Sequence, residues 1–445
     1  MRPNVPVAVA QFFMWGIWVL AALFFVISGS WRALHVNRPH FLPGTFSGLT
    51  SGDFVTVYSS SRALLQGGNP YTIAGVEQAF LQGGGHDEER FPWAGDPPIH
   101  FPFTLLLMAP LADMPYHIAR GVWLIINLST FLAASVLTIF LCERKDRFMA
   151  LLLTGVVLAG STALPGLGNM ADVAIGTLIV AIWATLRRMP LWIPVVAFSV
   201  SILLKPQMGI WVVLFLFVYR DFRKVILITG LICGVFIGVS VFVFQSGPTS
   251  STWIADFGAN MRAAVAPNAI SSPTRENPDA MRMTDLQPLF SLANQNPGFY
   301  VTASLITTLF LVGALALACR PVWRLPDARW LGLAAVSCLS LLVVYHRLYD
   351  SRLLLISMPA MMILLKQHRF TGLAAIFLTI PVIFSFSFQI LDSFERLKSL
   401  SDRHGWVVVF VGRQAPVALI LLTLLYIFGL NRLRLSKESS LAHPR

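Results

Sequence analysis

The chain has 445 residues, of which 56% are hydrophobic and only 12% charged, and it carries a net charge of +12. That apolar content excludes a soluble globular protein and reads as a polytopic membrane protein. Much of the positive charge lies in short links between apolar stretches, where it sets orientation and meets anionic headgroups, so nucleic-acid binding is excluded as well.

About twelve apolar stretches follow one another, many of them within the ~17–25 residues that cross a bilayer. They cover residues 8–28, 119–141, 148–163, 171–186, 190–204, 207–219, 225–244, 300–319, 330–346, 353–365, 370–390 and 414–430. The expected fold is an all-α polytopic membrane bundle. The first stretch is long, has one early arginine and lacks a small-residue cleavage site, so it reads as an uncleaved helix. The links Glu143-Arg144-Lys145-Asp146-Arg147, Arg187-Arg188, Arg220-Asp221-Phe222-Arg223-Lys224, 320–329, Lys366-Gln367-His368-Arg369 and 432–437 are basic, and by the positive-inside rule cytoplasmic. With the N-terminus inside, twelve crossings put both termini and every basic link on that side. The reading is one integral membrane domain over 1–435 with a cytoplasmic tail, 436–445. The cysteines, Cys142, Cys233, Cys319 and Cys338, lie in or at the inner ends of apolar stretches, so neither a disulfide nor a thiolate metal site is expected.

The opposite face receives two long loops, 30–100 and 245–299. In the first, Asp53 precedes a run in which Phe54, Val57, Tyr58, Ser61, Leu64 and Leu65 share a helical face, until Gly67-Gly68 and Asn69-Pro70 stop it. A second short helix is expected over 73–81, ending at Gly83-Gly84-Gly85. Both read as amphipathic helices lying on the membrane surface. Residues 101–112 are apolar but too short to span, and Pro102 and Pro110 mark them as an interfacial or re-entrant piece. In the second loop Trp253, Phe257 and Met261 recur every four residues, with Asp256 and Arg262 elsewhere around the helix. The Pro-, Asn- and Ser-rich stretch 266–298 reads as a flexible lid or acceptor-facing loop, and more plainly as a linker.

The polar groups of interest fall on this outer face. Asp53, at the start of an amphipathic helix, suits two compatible roles: an N-cap, or a general base whose pKa rises on burial beside aromatic rings. Lys205, before Pro206 at a turn between two helices, either snorkels to the headgroups or neutralises a phosphate. The densest outer cluster is Tyr345-His346-Arg347-Leu348-Tyr349-Asp350-Ser351-Arg352. If it is helical, His346 and Asp350 stand one turn apart on one face. A metal site there lacks a matching Glu or His, and a cationic pocket with an internally paired Asp350 fits better. A charged helix boundary is the plainer alternative. Gly166-Leu167-Gly168-Asn169 forms a short outer turn whose glycines serve either a ligand or the turn itself. His100 follows Asp96-Pro97-Pro98 at the mouth of the re-entrant piece, within reach of a sugar hydroxyl or a headgroup. No P-loop, dinucleotide fingerprint, His-Glu-x-x-His or serine elbow occurs.

Taken in order, several of these pieces resemble glycosyltransferase family 87, polytopic enzymes of the GT-C superfamily that use polyprenyl-phosphate sugars. The pieces are Gly52-Asp53-Phe54-Val55-Thr56-Val57-Tyr58 through Ala63-Leu64-Leu65 to Gly68-Asn69-Pro70-Tyr71, then Phe101-Pro102-Phe103 with Ala109-Pro110-Leu111-Ala112. Gly166-Leu167-Gly168-Asn169, Leu204-Lys205-Pro206 and the 346–352 cluster complete them. Phe-Pro-Phe stands where members often carry Tyr-Pro-Pro, and Gly-Leu-Gly-Asn where they often carry Gly-Gln-x-Asn. The resemblance implies a single inverting displacement at the outer face. An acceptor hydroxyl attacks the anomeric carbon, Asp53 is its base, and polyprenyl phosphate departs. One carboxylate suffices, because phosphate leaves without a protonating acid. Lys205, His346, Arg347 and Arg352 supply positive charge to that phosphate, with Asp350, His100, Asn169 and Tyr71 completing the substrate site. The implied donor is a polyprenyl-phosphate hexose, with mannose the family default, and the acceptor a glycolipid or glycan. Neither metal nor other cofactor is called for, and the implied location is a bacterial inner membrane with the site on the periplasmic side. Two other classes are weighed. A lipid-linked sugar flippase or transporter would place polar residues at mid-membrane and show internal repeats. A polysaccharide polymerase or O-antigen ligase would place its key Arg and His in late loops, without an Asp after the first helix.

Overall fold

The computed structural model describes residues 5–35, 52–85, 97–160, 168–247, 252–266, 269, 271–274, 277, 280, 282–384 and 413–442. Expectations for residues 36–51, 86–96, 161–167 and 385–412, including Gly166 and Leu167, lie outside the described residues. Helices account for nearly everything else: the described residues hold no strand, only an isolated bridge between Met283 and Arg347. They group into two compact units. The first draws on Met1–Leu137, Leu158–Gly209 and Tyr219–Ser272, and the second on Thr138–Val157, Ile210–Val218 and Pro273–Arg445.

The helices in chain order are α1 (Val5–His35), α2 (Gly52–Leu65), α3 (Ile73–Gln82), α4 (Pro102–Ala112), α5 (Tyr116–Leu141), α6 (Arg147–Gly160) and α7 (Ala171–Leu186). Then come α8 (Trp192–Leu204), α9 (Pro206–Leu216), α10 (Arg220–Ser246), α11 (Trp253–Ala264), α12 (Gln287–Phe290), α13 (Pro297–Cys319) and α14 (Pro326–Val343). A 3-10 segment, Leu348–Ser357, leads into α15 (Met358–Gln367), followed by α16 (Arg369–Phe384) and α17 (Gln414–Ala442). Each apolar stretch of the sequence therefore carries a helix. Among the described residues seven segments have the length and apolarity to cross a bilayer: Phe13–Ser30, Tyr116–Leu141, Arg220–Ser246, Pro297–Cys319, Pro326–Val343, Leu348–Gln367 and Gln414–Glu438. The protein is an all-α polytopic membrane protein.

Several of the twelve apolar stretches carry helices shorter than a full span. At 1.5 Å per residue, α7 with 16 residues, α8 with 13 and α9 with 11 reach only about 24, 20 and 17 Å. The core of a bilayer is ~30 Å thick. Hydropathy registers apolar side chains but not what covers them. α7 is buried along nearly its whole length, so its Ile and Val residues meet protein. α10 shows the contrary case: Leu227, Leu231, Val235 and Phe242 are each at least 60% exposed. So continuous an apolar face suits lipid and not water.

In the first unit α2 forms where the sequence puts it, yet it does not lie half open on a surface. Its residues from Phe54 to Ser61 are all buried. Phe54 stacks on Trp123 of α5 with centroids 5.8 Å apart and planes at 16°, and Tyr116 packs on Phe80 of α3 edge-on at 4.9 Å. Arg62 Nη1 donates to the Ala112 carbonyl at the C-terminus of α4 at 2.8 Å, and Tyr58 Oη to the Met114 carbonyl just beyond it at 2.7 Å, so α2 satisfies main-chain acceptors at that helix end. α8 and α9 meet at Lys205, where φ −150°, ψ 77° breaks the helix. The chain turns back there, since Gly209 lies against Ser201 and Ile202. α11 turns Trp253 and Phe257 inward, the Phe257 ring lying 5.1 Å from that of Tyr71. Trp253 and Ala264 are buried and Met261 is exposed, while Asp256 and Asn260 point into the protein.

In the second unit α14 packs against α17, the 3-10 segment, α13 and α15. Gly429 of α17 rests directly on Leu331 of α14 and Leu364 of α15. Lys366 joins Glu143 at 3.0 Å and Asp146 at 2.5 Å, tying two of the basic links together.

Candidate active site

Asp53, Asn169 and Lys205 come together in the first unit from three separate pieces of sequence. Asp53 occupies the first turn of α2, Asn169 the turn before α7, and Lys205 the break between α8 and α9. All three are half-buried. Asn169 Nδ2 donates to Asp53 Oδ2 at 2.6 Å. Asn169 Oδ1 accepts the Ala171 N–H at 2.7 Å and lies 3.5 Å from Lys205 Nζ. The orientation of this amide is chemically determined, because only an oxygen accepts from the Ala171 N–H. The amide nitrogen must therefore face Asp53. A carboxylate and an ammonium are thus joined through one asparagine, each with its polar end on the same small site.

The support around these groups is rigid. Trp123 Nε1 donates to the Gly168 carbonyl at 2.7 Å, holding the turn that presents Asn169. Gly168 has φ 63°, in the left-handed region where glycine carries no Cβ penalty. Thr104 Oγ1 of α4 donates to the Leu203 carbonyl at 2.8 Å, one residue from the turn at Leu204-Lys205. Leu204 joins Phe54, Trp123, Met170 and Val173 in the unit's apolar core.

His100 borders this group. Burial, with the charge of Lys205 adding to it, pushes its imidazole down to about 4. The ring is therefore neutral at physiological pH, and its Nδ1 is enclosed without a hydrogen-bond partner. Tyr71 is buried, and its hydroxyl donates to the His100 carbonyl at 2.9 Å. It acts on the site by holding the 97–100 backbone. Asn260 of α11 donates to the carbonyls of Tyr71 at 2.8 Å and Pro98 at 3.0 Å. Asn69 donates to Asp256 Oδ2 at 2.6 Å. The second outer loop thus anchors the first through two asparagines. The sequence shows Asn69 as a helix stop and as part of the Gly68-Asn69-Pro70-Tyr71 piece, whereas Asn260, next to Met261, carries no local signal.

The second unit carries its own polar cluster. His346 Nδ1 lies 2.8 Å from Asp350 Oδ2, and both residues are buried. The pair is not on an α-helix: His346 and Arg347 are in extended chain, and Asp350 sits in the first turn of the 3-10 segment. Asp350 folds back because its carboxylate also accepts the Arg347 N–H at 3.3 Å. Arg347 Nε donates to the Tyr345 hydroxyl. Arg352 is fully enclosed in the 3-10 segment. Two further members were not foreseen. Asp285, 2% exposed, accepts N–H groups from Gln287 at 3.0 Å and His346 at 3.4 Å, and Arg413, also buried, is its opposing charge. Burial lifts the Asp285 carboxyl to about 7. The stretch from Met283 to Asn294 is accordingly packed and hydrogen-bonded, unlike the flexible lid its composition suggests. Among the described residues no three His, Cys, Asp or Glu side chains are grouped to hold a metal ion.

The first-unit site offers a carboxylate, an amide hydrogen-bonded to it and a cation, an arrangement suited to group transfer from an anionic leaving group. Residues 99–344, more than half of the chain, match the model of Glycosyltransferase family 87, and the chain belongs to that family. No curated protein and no solved structure matches it.

Proposed function

We propose that this family 87 glycosyltransferase moves a hexose, mannose, from a polyprenyl-phosphate donor to an acceptor hydroxyl of a glycolipid or glycan. Sugar transfer follows from family membership. The donor, the sugar and the residue roles are our reading. The observation that carries it is the Asp53–Asn169–Lys205 arrangement.

In this reading Asp53 Oδ1 or Oδ2 takes the proton of the acceptor hydroxyl. The acceptor oxygen then bonds to the anomeric carbon as the bond from that carbon to the phosphate oxygen breaks. Polyprenyl phosphate leaves with the electron pair and the configuration inverts. Asn169 orients the carboxylate, and Lys205 stabilises negative charge on the leaving phosphate. Neutral His100 offers a hydrogen bond to a sugar hydroxyl without adding charge. From the chemistry of the second unit alone, His346, Arg347 and Arg352 are assigned to recognition of a phosphate, with Asp350 fixing the imidazole tautomer. In this reading the reaction runs on the face opposite the basic links, which in a bacterial inner membrane is the periplasmic one.

Purified protein in detergent, given polyprenyl-phosphate-mannose or a nucleotide-mannose with a membrane-lipid acceptor extract, tests the donor class. Label transfer from the lipid donor alone supports the proposal. Transfer from the nucleotide donor alone would refute it.

A further inference from the structure

The outer loop of the second unit folds back on its polar cluster by main-chain pairing. Met283 bridges Arg347, Thr284 N–H donates to the His346 carbonyl at 2.9 Å, and Leu286 N–H to that of Leu342 at 3.2 Å. Asp285 lies between these bonds, and its Oδ2 takes the remaining main-chain group of His346, the N–H. His346 is therefore held on both sides of its backbone, while its ring is tied at Nδ1 to Asp350. The other ring nitrogen, Nε2, is enclosed and has no hydrogen-bond partner. A buried ring nitrogen without a partner costs free energy unless something else occupies it in the working protein.

Asp285 is an expensive choice for what it does locally. Its bond to the Gln287 N–H is an Asx turn, which asparagine makes equally well. A buried carboxyl adds a desolvation cost that an amide avoids. What the carboxylate adds is a charge-assisted bond to the His346 N–H, which fixes main chain next to the imidazole, and a charge opposite to that of buried Arg413.

We propose that Asp285 is a positioning residue that holds the His346 backbone and thereby aims the enclosed Nε2 at the anionic donor. The inference rests on the assignment of His346 to donor recognition. The titratable and charged groups around Asp285 are Arg413, the His346–Asp350 pair and Arg347, which bridges Met283. Because burial lifts Asp285 to about 7 against the opposing pull of Arg413, its grip depends on pH. The anion accepts the His346 N–H strongly, and protonation as pH falls through neutrality weakens that bond.

The test uses the full-length protein and two readouts: the donor KM between pH 6 and 8, and hydrogen exchange of the peptide covering 344–348. In wild type, KM should rise as pH falls. In Asp285→Asn it should be raised roughly fivefold, about the worth of one hydrogen bond, and should no longer vary with pH. Exchange at the His346 amide should speed up by a similar factor. The substitution should add nothing in a His346→Ala background. Unchanged exchange and KM in Asp285→Asn would overturn the proposal, as would an equal penalty in the His346→Ala background. Should Asp285→Asn fail to fold, Arg413→Gln serves: the KM transition should move to higher pH, and an unmoved transition counts against the proposal. If His346→Ala alone keeps the wild-type KM, the donor assignment of His346 falls, while the exchange data still decide whether Asp285 holds that backbone.

Discussion

Asn169→Ala isolates the contribution of the amide between Asp53 and Lys205. The substitution deletes the 2.6 Å bond to the carboxylate and the 3.5 Å contact to the ammonium, and leaves both charged groups in place. A hydrogen bond to a charged group contributes about 1.5–3 kcal/mol. At about 1.4 kcal/mol per tenfold, kcat/KM should fall about 10- to 150-fold. The variant also loses the acceptor for the Ala171 N–H at the start of α7, a cap worth about 1 kcal/mol of stability. Thermal unfolding should therefore drop by a few degrees without loss of the fold. Asn169→Asp separates the two effects. It keeps an oxygen for the Ala171 N–H and sets a second carboxylate against Asp53. Like charges so close raise the pKa of one of the pair. The acid limb of the rate profile should then move to higher pH, with activity recovering as pH rises. Initial rates over pH 5.5–9, with unfolding followed in parallel, check both variants. An Asn169→Ala enzyme within twofold of wild type, or an Asn169→Asp enzyme with an unmoved acid limb, would refute the idea that Asn169 aims the base.

Three further outcomes are expected. Thr104→Val removes the bond to the Leu203 carbonyl, loosening the turn that carries Lys205, and should lower kcat/KM for the donor about fivefold for ~1 kcal/mol. His100, pushed down to about 4 by burial, binds its proton more readily in the unfolded chain, whose imidazole titrates near 6.5. The native state should therefore lose stability as pH falls from about 6.5 towards 4, and His100→Gln should show a smaller drop in melting temperature over that window. Cysteines introduced at Arg187 should react from the cytoplasmic side, and cysteines within 245–299 from the outer side. The reverse labelling pattern would overturn the assignment of faces.

The residues that could be read from sequence share one property: their role shows in local pattern. α2 follows from the helical spacing of Phe54, Val57 and Tyr58, α3 from its glycine stop, and the break at Lys205 from Pro206. Asp53, Asn169 and Lys205 were each legible as outer polar groups at helix ends, and the structure adds that they share hydrogen bonds. Other features depend on partners far along the chain. Asp285 bonds to His346 across 61 positions, and Asn260 reaches Tyr71 across 189, so neither carries a local signature. Asp285 was further hidden in a Pro-, Asn- and Ser-rich stretch whose composition suggests a linker. The short helices α7, α8 and α9 stand among the apolar stretches because apolar side chains look alike whether protein or lipid covers them.

The most direct test of the central claim is transfer of mannose from polyprenyl-phosphate-mannose by Asp53→Asn beside wild type, under single-turnover conditions. Asparagine preserves the size of the side chain and removes the base. Loss of product by about a thousandfold or more, within the range that general-base catalysis supplies, is the predicted result. Product from Asp53→Asn at the wild-type rate would contradict the account and leave Asp53 as a carboxylate in the first turn of α2.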